Sequence, residues 1–565
     1  MVVVSKRGRF LVAEPLFEPG ERLTLAGGRK VKPGQMALVE AAGGRAQVTH
    51  ELGRPDAALD VVEAMLLDRG VRQGFGKKLQ SEALDAARRA EQDSGSRRDL
   101  TEMPTLTVDP ASARDFDDAV SASESGDGIR LWVHIADVAA HLSPGGGLDQ
   151  EALRRANSVY LPGSVEPMLP LELSADACSL APGVERLAVT AEIELGPSAE
   201  TRSVRFYRSR IRSDARLNYD ELDEIFAGRS RAPAEVAEPL AMARKAATAL
   251  AARRSKTSLD VSSSEPEFHF EGRHVTGASM VEQTEAHTLI EQLMVCTNER
   301  VAELLEQKKV ATLYRVHESP DPDSIANLID KLAALDVPTP PLPKRISPSQ
   351  AAEIAAEASR LATAEAKRRG HGREAYTSLV LRSMKPAHYS EKNVGHAGLG
   401  SPAYAHFTSP IRRYPDLIAH RALLSAVGDS ERPHSADSVA EAGPHCSERE
   451  RDAMKLERQA DDVCAAFLLQ RELYEAGPGK PFEGEVSGVI GAGAFIRFGG
   501  ELAQVYEGFL PARRIGGRER YELDETETQL LGTHGGDAVR LGDPVTVTVD
   551  NVDAPRGRVD LVPRG

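Results

Sequence analysis

Four carboxylates, Asp109, Asp115, Asp117 and Asp118, fall within ten positions of the segment TLTVDPASARDFDDAV, Thr105 to Val120. Acids packed this densely repel one another, and a folded chain keeps them together only in water or around a bound cation. Oxygen ligands are hard, so the cation that suits them is magnesium, with manganese able to substitute. A solvated acidic turn would also hold such a cluster. A calcium loop would not, because Asp-x5-Asp-x-Asp-Asp lacks a glycine at the sharp turn and a closing glutamate at the required distance. Leu106 to Val108 alternates as a strand end should, Pro110 stops it, and a polar loop leads back to the apolar Ala119 and Val120. The acids are therefore expected at a strand end and in the loop after it.

The second stretch with chemistry in it is YAHFTSPIRRYPDLIAHRALL, Tyr404 to Leu424. Ser409 and Pro410 signal a helix start, and Pro415 just beyond makes Ile411 to Tyr414 a turn, with the regular helix beginning near Pro415. Arg412 and Arg413 then stand at a helix N-terminus, where the dipole already favours anions and cations are mildly unfavourable. Two arginines placed against that preference point to an anion brought from outside, and a phosphate fits both the helix end and the guanidinium fork. Taken alone, pairing with nearby acids would explain them equally.

Other polar residues read as scaffold. In IRLWVHIADV, Ile129 to Val138, the alternation of a strand puts Leu131, Val133 and Ile135 on one face and His134 on the other, so His134, with Asp137 and His141 near it, is assigned a structural role rather than a metal. Tyr160 to Leu180 reads as a long loop stiffened by Pro162, Pro167 and Pro170. Leu289, Leu293, Val301 and Leu305 mark a core-facing helix over His287 to Leu305. His287 and Glu291 lie one turn apart on it without a third ligand, which fits packing or channel lining. Tyr314 to Pro320, YRVHESP, reads as strand and turn, and Ser447 to Tyr474 as a long helix with Leu456, Val463 and Phe467 inward.

Taken together, the aspartate loop, the HIADV segment, YRVHESP and SPIRRYPDL resemble the RNase II (RNB) family of exoribonucleases over roughly residues 100 to 475. The resemblance implies that Asp109, Asp115, Asp117 and Asp118 are catalytic metal ligands and that Arg412 neutralises charge gathering on the scissile phosphate. It places Tyr160 beside the terminal nucleotide, and Arg413 and Glu457 near the bound RNA. The activity implied is magnesium-dependent, processive 3′→5′ hydrolysis to nucleoside 5′-monophosphates; tolerance of structured RNA is expected separately, from an N-terminal module smaller than the family's usual pair of barrels. The alternative is a catalytically silent RNA-binding regulator of the same fold, which should have lost loop acids or the later arginine; all are present.

These residues need a large scaffold, and 565 residues are too many for one core. The expected class is α+β and multidomain. Residues 1–60 read as a small β-rich module, with strands over Arg9 to Ala13, Arg22 to Leu25 and Gln35 to Val39, made locally basic by Lys6, Arg7, Arg9, Arg29 and Lys30. The family resembled usually carries two cold-shock-type barrels there; sixty residues hold one degenerate OB barrel or a winged-helix-like substitute. Residues 61–99 form a helical connector ending in a polar link, and 100–476 the central catalytic domain, a mixed sheet with surrounding helices. After the linker Gly477 to Pro481, residues 480–565 read as a five-stranded OB barrel of the S-one type, with Phe495, Phe498, Phe509 and Arg513 as candidate RNA contacts.

The formal net charge of -15 sits badly with a polyanionic partner until it is split: acidic stretches carry the balance while arginines line a channel. Four scattered cysteines without a CxxC pair exclude a zinc or disulfide framework. No run approaches eighteen apolar residues, and the apolar start of MVVVSKRGRF is too short for a signal peptide. The expectation is a soluble, cytoplasmic monomer acting on single-stranded RNA and on duplex RNA with a 3′ overhang.

Overall fold

The computed structural model describes the chain apart from residues 27–30, 72, 93–95, 256, 261–263, 478, 500–504, 517, 518, 535 and 565. Arg29, Lys30 and Pro478 thus lie outside the described residues. At the N-terminus, Val2–Arg7, Phe10–Pro15, Leu23–Leu25, Met36–Ala42 and Arg45–Glu51 close into a five-stranded barrel. Val2, Val4, Ala13, Ala37, Ala46 and Val48 fill it, as period-two alternation requires. This decides between the two readings of the module: it is a barrel, not a winged helix. Its first and last strands escaped the sequence reading because charged residues interrupt their apolar positions.

Two helices, Ala58–Asp68 and Lys77–Glu91, lead to the central sheet. The polar link expected over residues 80–100 is mostly the second of these helices, followed by a short edge strand, Arg98–Leu100. The sheet has seven strands in the order Ala215–Leu217, Leu106–Val108, Asp118–Ser125, Gly128–Ala136, Glu185–Leu195, Thr201–Arg212, Arg98–Leu100. Its two outer pairs are parallel and the inner ones antiparallel, so it is mixed. Leu131, Val133 and Ile135 are buried in one core with the helices Ala237–Arg254 and Glu285–Lys308. His134 is satisfied by Ser121 Oγ at 3.2 Å and Thr190 Oγ1 at 2.9 Å. Asp137 takes Arg97 at 2.8 Å and Arg208 at 3.0 Å, a buried ion-pair knot far from any ligand role.

A second core lies among the helices Pro322–Ala334, Pro348–Arg369, Arg373–Ser383 and Ala436–Ala476. The last has 41 residues and starts well before the expected Ser447, running through Pro444. There Gly443 passes so close to the strand His388–Ser390 that a Cβ would stand 3.1 Å from Tyr389 O, and Ser447 Oγ, bonded to Gly443 O, accepts the Tyr389 N–H at 2.9 Å.

The C-terminal strands Pro481–Ile490, Gly493–Gly499, Tyr506–Pro511, Pro544–Asp553 and Arg558–Pro563 close a second five-stranded barrel, with a three-stranded sheet inserted before the fourth. Closure requires Gly493, where a Cβ would meet Leu510 O at 2.2 Å. The barrel is not a loose appendage. Phe482, Val486 and Phe498 belong to the same apolar core as the four helices, and Arg540–Asp336 (3.0 Å) and Tyr506–Glu472 (2.7 Å) pin its rim.

Candidate active site

Leu106 pairs with Val120, which brings the end of one strand, at Asp109, beside the start of the next, at Asp118. Asp118 is the first residue of its strand rather than part of the loop, a correction to the sequence reading: its backbone pairs with Ile135 in the ladder. The intervening loop is held from three sides. Ser179 Oγ accepts the Phe116 N–H at 3.0 Å and donates to Arg114 O at 2.8 Å. Arg216 Nη2 donates to Pro110 O (2.9 Å) and Ala111 O (3.0 Å), its guanidinium lying 4.9 Å from the centre of the Phe116 ring. Asp117, 4 % exposed, accepts the Ile411 N–H at 2.8 Å, which ties the acid loop to the arginine turn across 294 positions of sequence.

That turn behaves as the proline spacing requires, with a regular helix over Tyr414–Ala426. Arg412 Nε stands 3.6 Å from Asp117 Oδ2 and its Nη2 donates to Ser409 Oγ at 3.1 Å; 43 % of its side chain remains exposed. Arg413 differs. It is drawn to the fully buried Asp416 at 2.7 Å, and the same carboxylate oxygen accepts the Ser409 N–H at 2.8 Å, so most of Arg413 is spent on building the turn. The two arginines, equivalent by spacing, are divided by the fold into one half-exposed fork beside the acids and one strut.

The stretch read as a long loop contains a hairpin, Val159–Leu161 with Ser164–Glu166, and a π-helical turn, Leu173–Ala177. Tyr160 at the hairpin bridges the site: its hydroxyl donates to Asp115 Oδ2 at 2.9 Å and its N–H donates to Glu457 Oε1 at 2.8 Å. Its ring is still 39 % exposed, a flat face beside the acids. Glu457, at this distance, is a strut for Tyr160, and burial raises its pKa.

A family model described as the RNB domain matches residues 97–429, which contain the aspartate loop, the hairpin and the arginine turn. The chain belongs to the RNB, or RNase II/R-like, family. A ribonuclease R of Aquifex aeolicus is 34% identical over 92% of this chain and 72% of its own length, and that of Escherichia coli is 33% identical over 83% of this chain and 58% of its own. The chain thus spans little more than half of some relatives. Mycoplasma genitalium RNase R, solved with ribose-methylated single-stranded RNA, superposes with a TM-score of 0.85 at 25% identity, covering 100% of this chain and 89% of that one. Its complex with double-stranded RNA gives 0.78, covering 96% and 92%.

Within this RNB site the electrostatics call for a cation. Burial, then the Asp118 charge, pushes Asp109 up to about 8; burial pushes Asp118 up to about 7 against the pull of Arg412 and Arg413. Burial also raises Asp117, again opposed by Arg412. Asp109 Oδ2 and Asp117 Oδ2 are buried without a hydrogen-bond partner. Buried carboxyls crowded by one another's charge, with only Arg412 facing Asp117 Oδ2 at 3.6 Å, fit a divalent cation. Among the described residues no group of three or more His, Cys, Asp or Glu side chains is placed to hold a metal ion as it stands.

The remaining RNA-contact candidates sort by burial. On the C-terminal barrel Phe495 is 37 % exposed and lies 5.2 Å from Phe509, while Arg513 is exposed on the short helix Ala512–Ile515. Phe498 is withdrawn as a contact: it is fully buried against Phe482 and Tyr506 and fills the barrel. His287 stacks on Tyr219 at 3.9 Å and bonds Thr284 Oγ1 at 2.8 Å, a packing role. Sequence reasoning missed Arg216, Ser179 and Tyr219, whose hydroxyl pKa is raised by burial and then by the charges of Asp118 and Asp109. Nothing in their local spacing marks them.

Proposed function

We propose that this chain is a magnesium-dependent, processive 3′→5′ exoribonuclease releasing nucleoside 5′-monophosphates, with manganese as a substitute, acting as a cytoplasmic monomer. The observation that carries the reading is the convergence of Arg412 on Asp117 (3.6 Å) and of Tyr160 on Asp115 (2.9 Å), which sets a half-exposed guanidinium and an aromatic ring beside the acid cluster. All four cysteines are buried and free, which suits a reducing compartment, and no described helix is long and apolar enough to cross a membrane.

In this mechanism Asp109, Asp115, Asp117 and Asp118 hold the metal, which when bound supplies Lewis acidity and an activated water. The attacking water forms the new bond to phosphorus and gives up its proton. The bond to the 3′ oxygen of the preceding nucleotide breaks, and that oxygen leaves protonated. Arg412 is positioned to neutralise charge on the phosphate as it builds. Tyr160, fixed at both its N–H and its hydroxyl, offers the terminal base a preoriented ring. The exposed Phe495, with the half-buried Phe509 beside it on the C-terminal barrel, offers a stacking platform to upstream bases.

Single-stranded and double-stranded RNA, both named for the Mycoplasma relative's structures, are the proposed partners here. The structured substrate proposed is a duplex with a 3′ overhang. End-labelled single strands, and AU-rich and GC-rich hairpins with identical 3′ tails, would be incubated with magnesium or chelator. The expected result is a metal-dependent ladder to mononucleotides, slower through GC stems, since opening each step costs on the order of 1.4 kcal/mol. Binding without cleavage would make the chain a silent RNA-binding protein; arrest at the same distance before both stems would place a steric gate at the entrance.

A further inference from the structure

The helix that follows the arginine turn is gripped by a buried carboxylate outside the acid loop. Asp149, in the first turn of the helix Gly147–Arg155, gives one oxygen to two residues of the helix Tyr414–Ala426. Its Oδ1 accepts from the Tyr414 hydroxyl at 3.1 Å and from Arg421 Nη1 at 2.9 Å, while its Oδ2 accepts the Gly145 N–H at 2.7 Å. Arg421 is completely buried; its Nη2 donates to Leu142 O at 2.9 Å, and His434 Nε2 stands 2.9 Å from its Nη1. A buried ion pair is a weak device for stability, since well-packed apolar residues of similar volume often serve as well or better. What hydrogen-bonded charges add is direction: each partner is held at one distance and one angle.

Tyr414 and Arg421 are seven residues apart, close to two helical turns, so both leave the helix on one face. Two points held on one face fix the helix against rotation about its axis and against sliding along it. Arg412 precedes the first of those points by two residues. The other ties of the turn do a different job. Asp416, which takes Arg413 and the Ser409 N–H, belongs to the same helix and sets the shape of the turn but not its place in the molecule. Asp117, which accepts the Ile411 N–H, is itself one of the acids toward which the arginine is aimed. The helix of Asp149 also runs straight into the segment that braces the turn: Tyr414 N–H donates to Ala156 O at 2.8 Å, Ser158 N–H donates to Arg412 O at 3.0 Å, and Asn157 pairs with Arg413. We propose that Asp149 is a positioning residue for hydrolysis: acting through the Tyr414 hydroxyl, it sets where the Arg412 fork stands relative to the acid cluster. A displacement of about 1 Å at such a group is enough to lose much of its effect on the chemical step. The assignment rests on the exoribonuclease reading above and extends it to what aims the arginine.

The test is a double-mutant cycle on the full chain, read as single-turnover cleavage of an end-labelled single-stranded RNA with magnesium. Protein concentration is varied so that the saturating rate and the half-saturating concentration are separated, and each variant is melted. Tyr414→Phe removes only the hydroxyl that meets Asp149 and leaves the ion pair in place. It should lower the saturating rate about tenfold, the lower weight of a hydrogen bond to a charged group, with the half-saturating concentration unchanged. In an Arg412→Ala background the same change should cost about twofold or less, because a residue that acts through Arg412 then has nothing left to aim. Asp149→Asn should follow the same pattern, with a loss no larger than that of Arg412→Ala itself. A second full tenfold loss from Tyr414→Phe in the Arg412→Ala background would overturn the proposal. So would an Asp149→Asn or Tyr414→Phe protein that melts lower yet cleaves at the wild-type rate. If Asp149→Asn does not fold, the Tyr414→Phe cycle decides alone. Absence of cleavage by wild-type protein would refute the exoribonuclease reading itself, whereas a cleaving wild type beside an indifferent Tyr414→Phe refutes the positioning role only.

Discussion

Proton competition at the aspartate pair gives the most direct test of the metal assignment. Without a cation, Asp109 and Asp118 keep their protons until about pH 8 and about pH 7, chiefly because burial penalises their charge. A divalent cation binds only the ionised forms, so at pH 6 the protons of both Asp109 and Asp118 must leave, besides the one that burial favours on Asp117, whereas at pH 8 half of the Asp109 proton remains. Apparent affinity should therefore rise between pH 6 and pH 8 by on the order of several hundred-fold and level off above. The same protons act on stability. Both groups titrate in the folded chain above the ordinary aspartate value of 3.8, so the metal-free fold is favoured at the acidic end and loses stability as pH climbs through about 8. Manganese titration by calorimetry on the full chain at pH 6, 7 and 8, with thermal melts of each sample, measures both. Metal-free protein should melt lower at pH 8 than at pH 6, and saturating metal should raise the melting point more at pH 8. Asp118→Asn should shrink the affinity change to about fifty-fold or less, the share of Asp109 alone. An affinity equal at pH 6 and pH 8, with no protons released on binding, would refute the assignment of these acids as ligands.

Three further outcomes follow from the geometry. Asp118→Asn keeps the shape of the strand start but removes a charge, and should abolish hydrolysis while RNA binding, read by anisotropy in magnesium, stays largely intact. Arg412→Lys should not rescue turnover, because a point charge cannot reproduce a fork reaching Asp117, Ser409 and a phosphate; a loss on the order of a hundredfold in the single-turnover chemical step is expected, with a smaller change in affinity. The two barrel phenylalanines should separate: Phe498→Ala should cost about 3–5 kcal/mol of stability, and Phe495→Ala about 1–3 kcal/mol of RNA affinity with an unchanged melt. Equal melting points for these two variants would contradict the burial pattern.

Truncating the chain at Pro481 would be a poor probe of the C-terminal barrel, although linker glycines invite it. Phe482, Val486 and Phe498 share an apolar core with helices far upstream, so removal would expose that core as well as remove RNA contacts. Surface changes at Phe495 and Arg513 ask the question without that confusion.

What was legible in the sequence was what neighbouring residues decide among themselves. Alternation over Ile129 to Ile135, the prolines around Ile411 to Tyr414 and the crowding of Asp109 to Asp118 each express a local rule of backbone geometry or charge repulsion, and the strand, the helix start and the acidic cluster are there. What the sequence could not express was which side of an element faces the core and which distant group arrives to meet it. Parity places Phe495 and Phe498 on opposite faces of one strand, but only closure of the barrel makes one of them the interior. Adjacent arginines carry equal charge, but only the packing of the turn gives Arg413 to Asp416 and leaves Arg412 half-exposed beside Asp117. Arg216 and Tyr160 reach the site because a sheet order and a hairpin carry them there. Contacts between residues a hundred or more positions apart are set by how apolar faces bury one another, and no spacing along the chain records that.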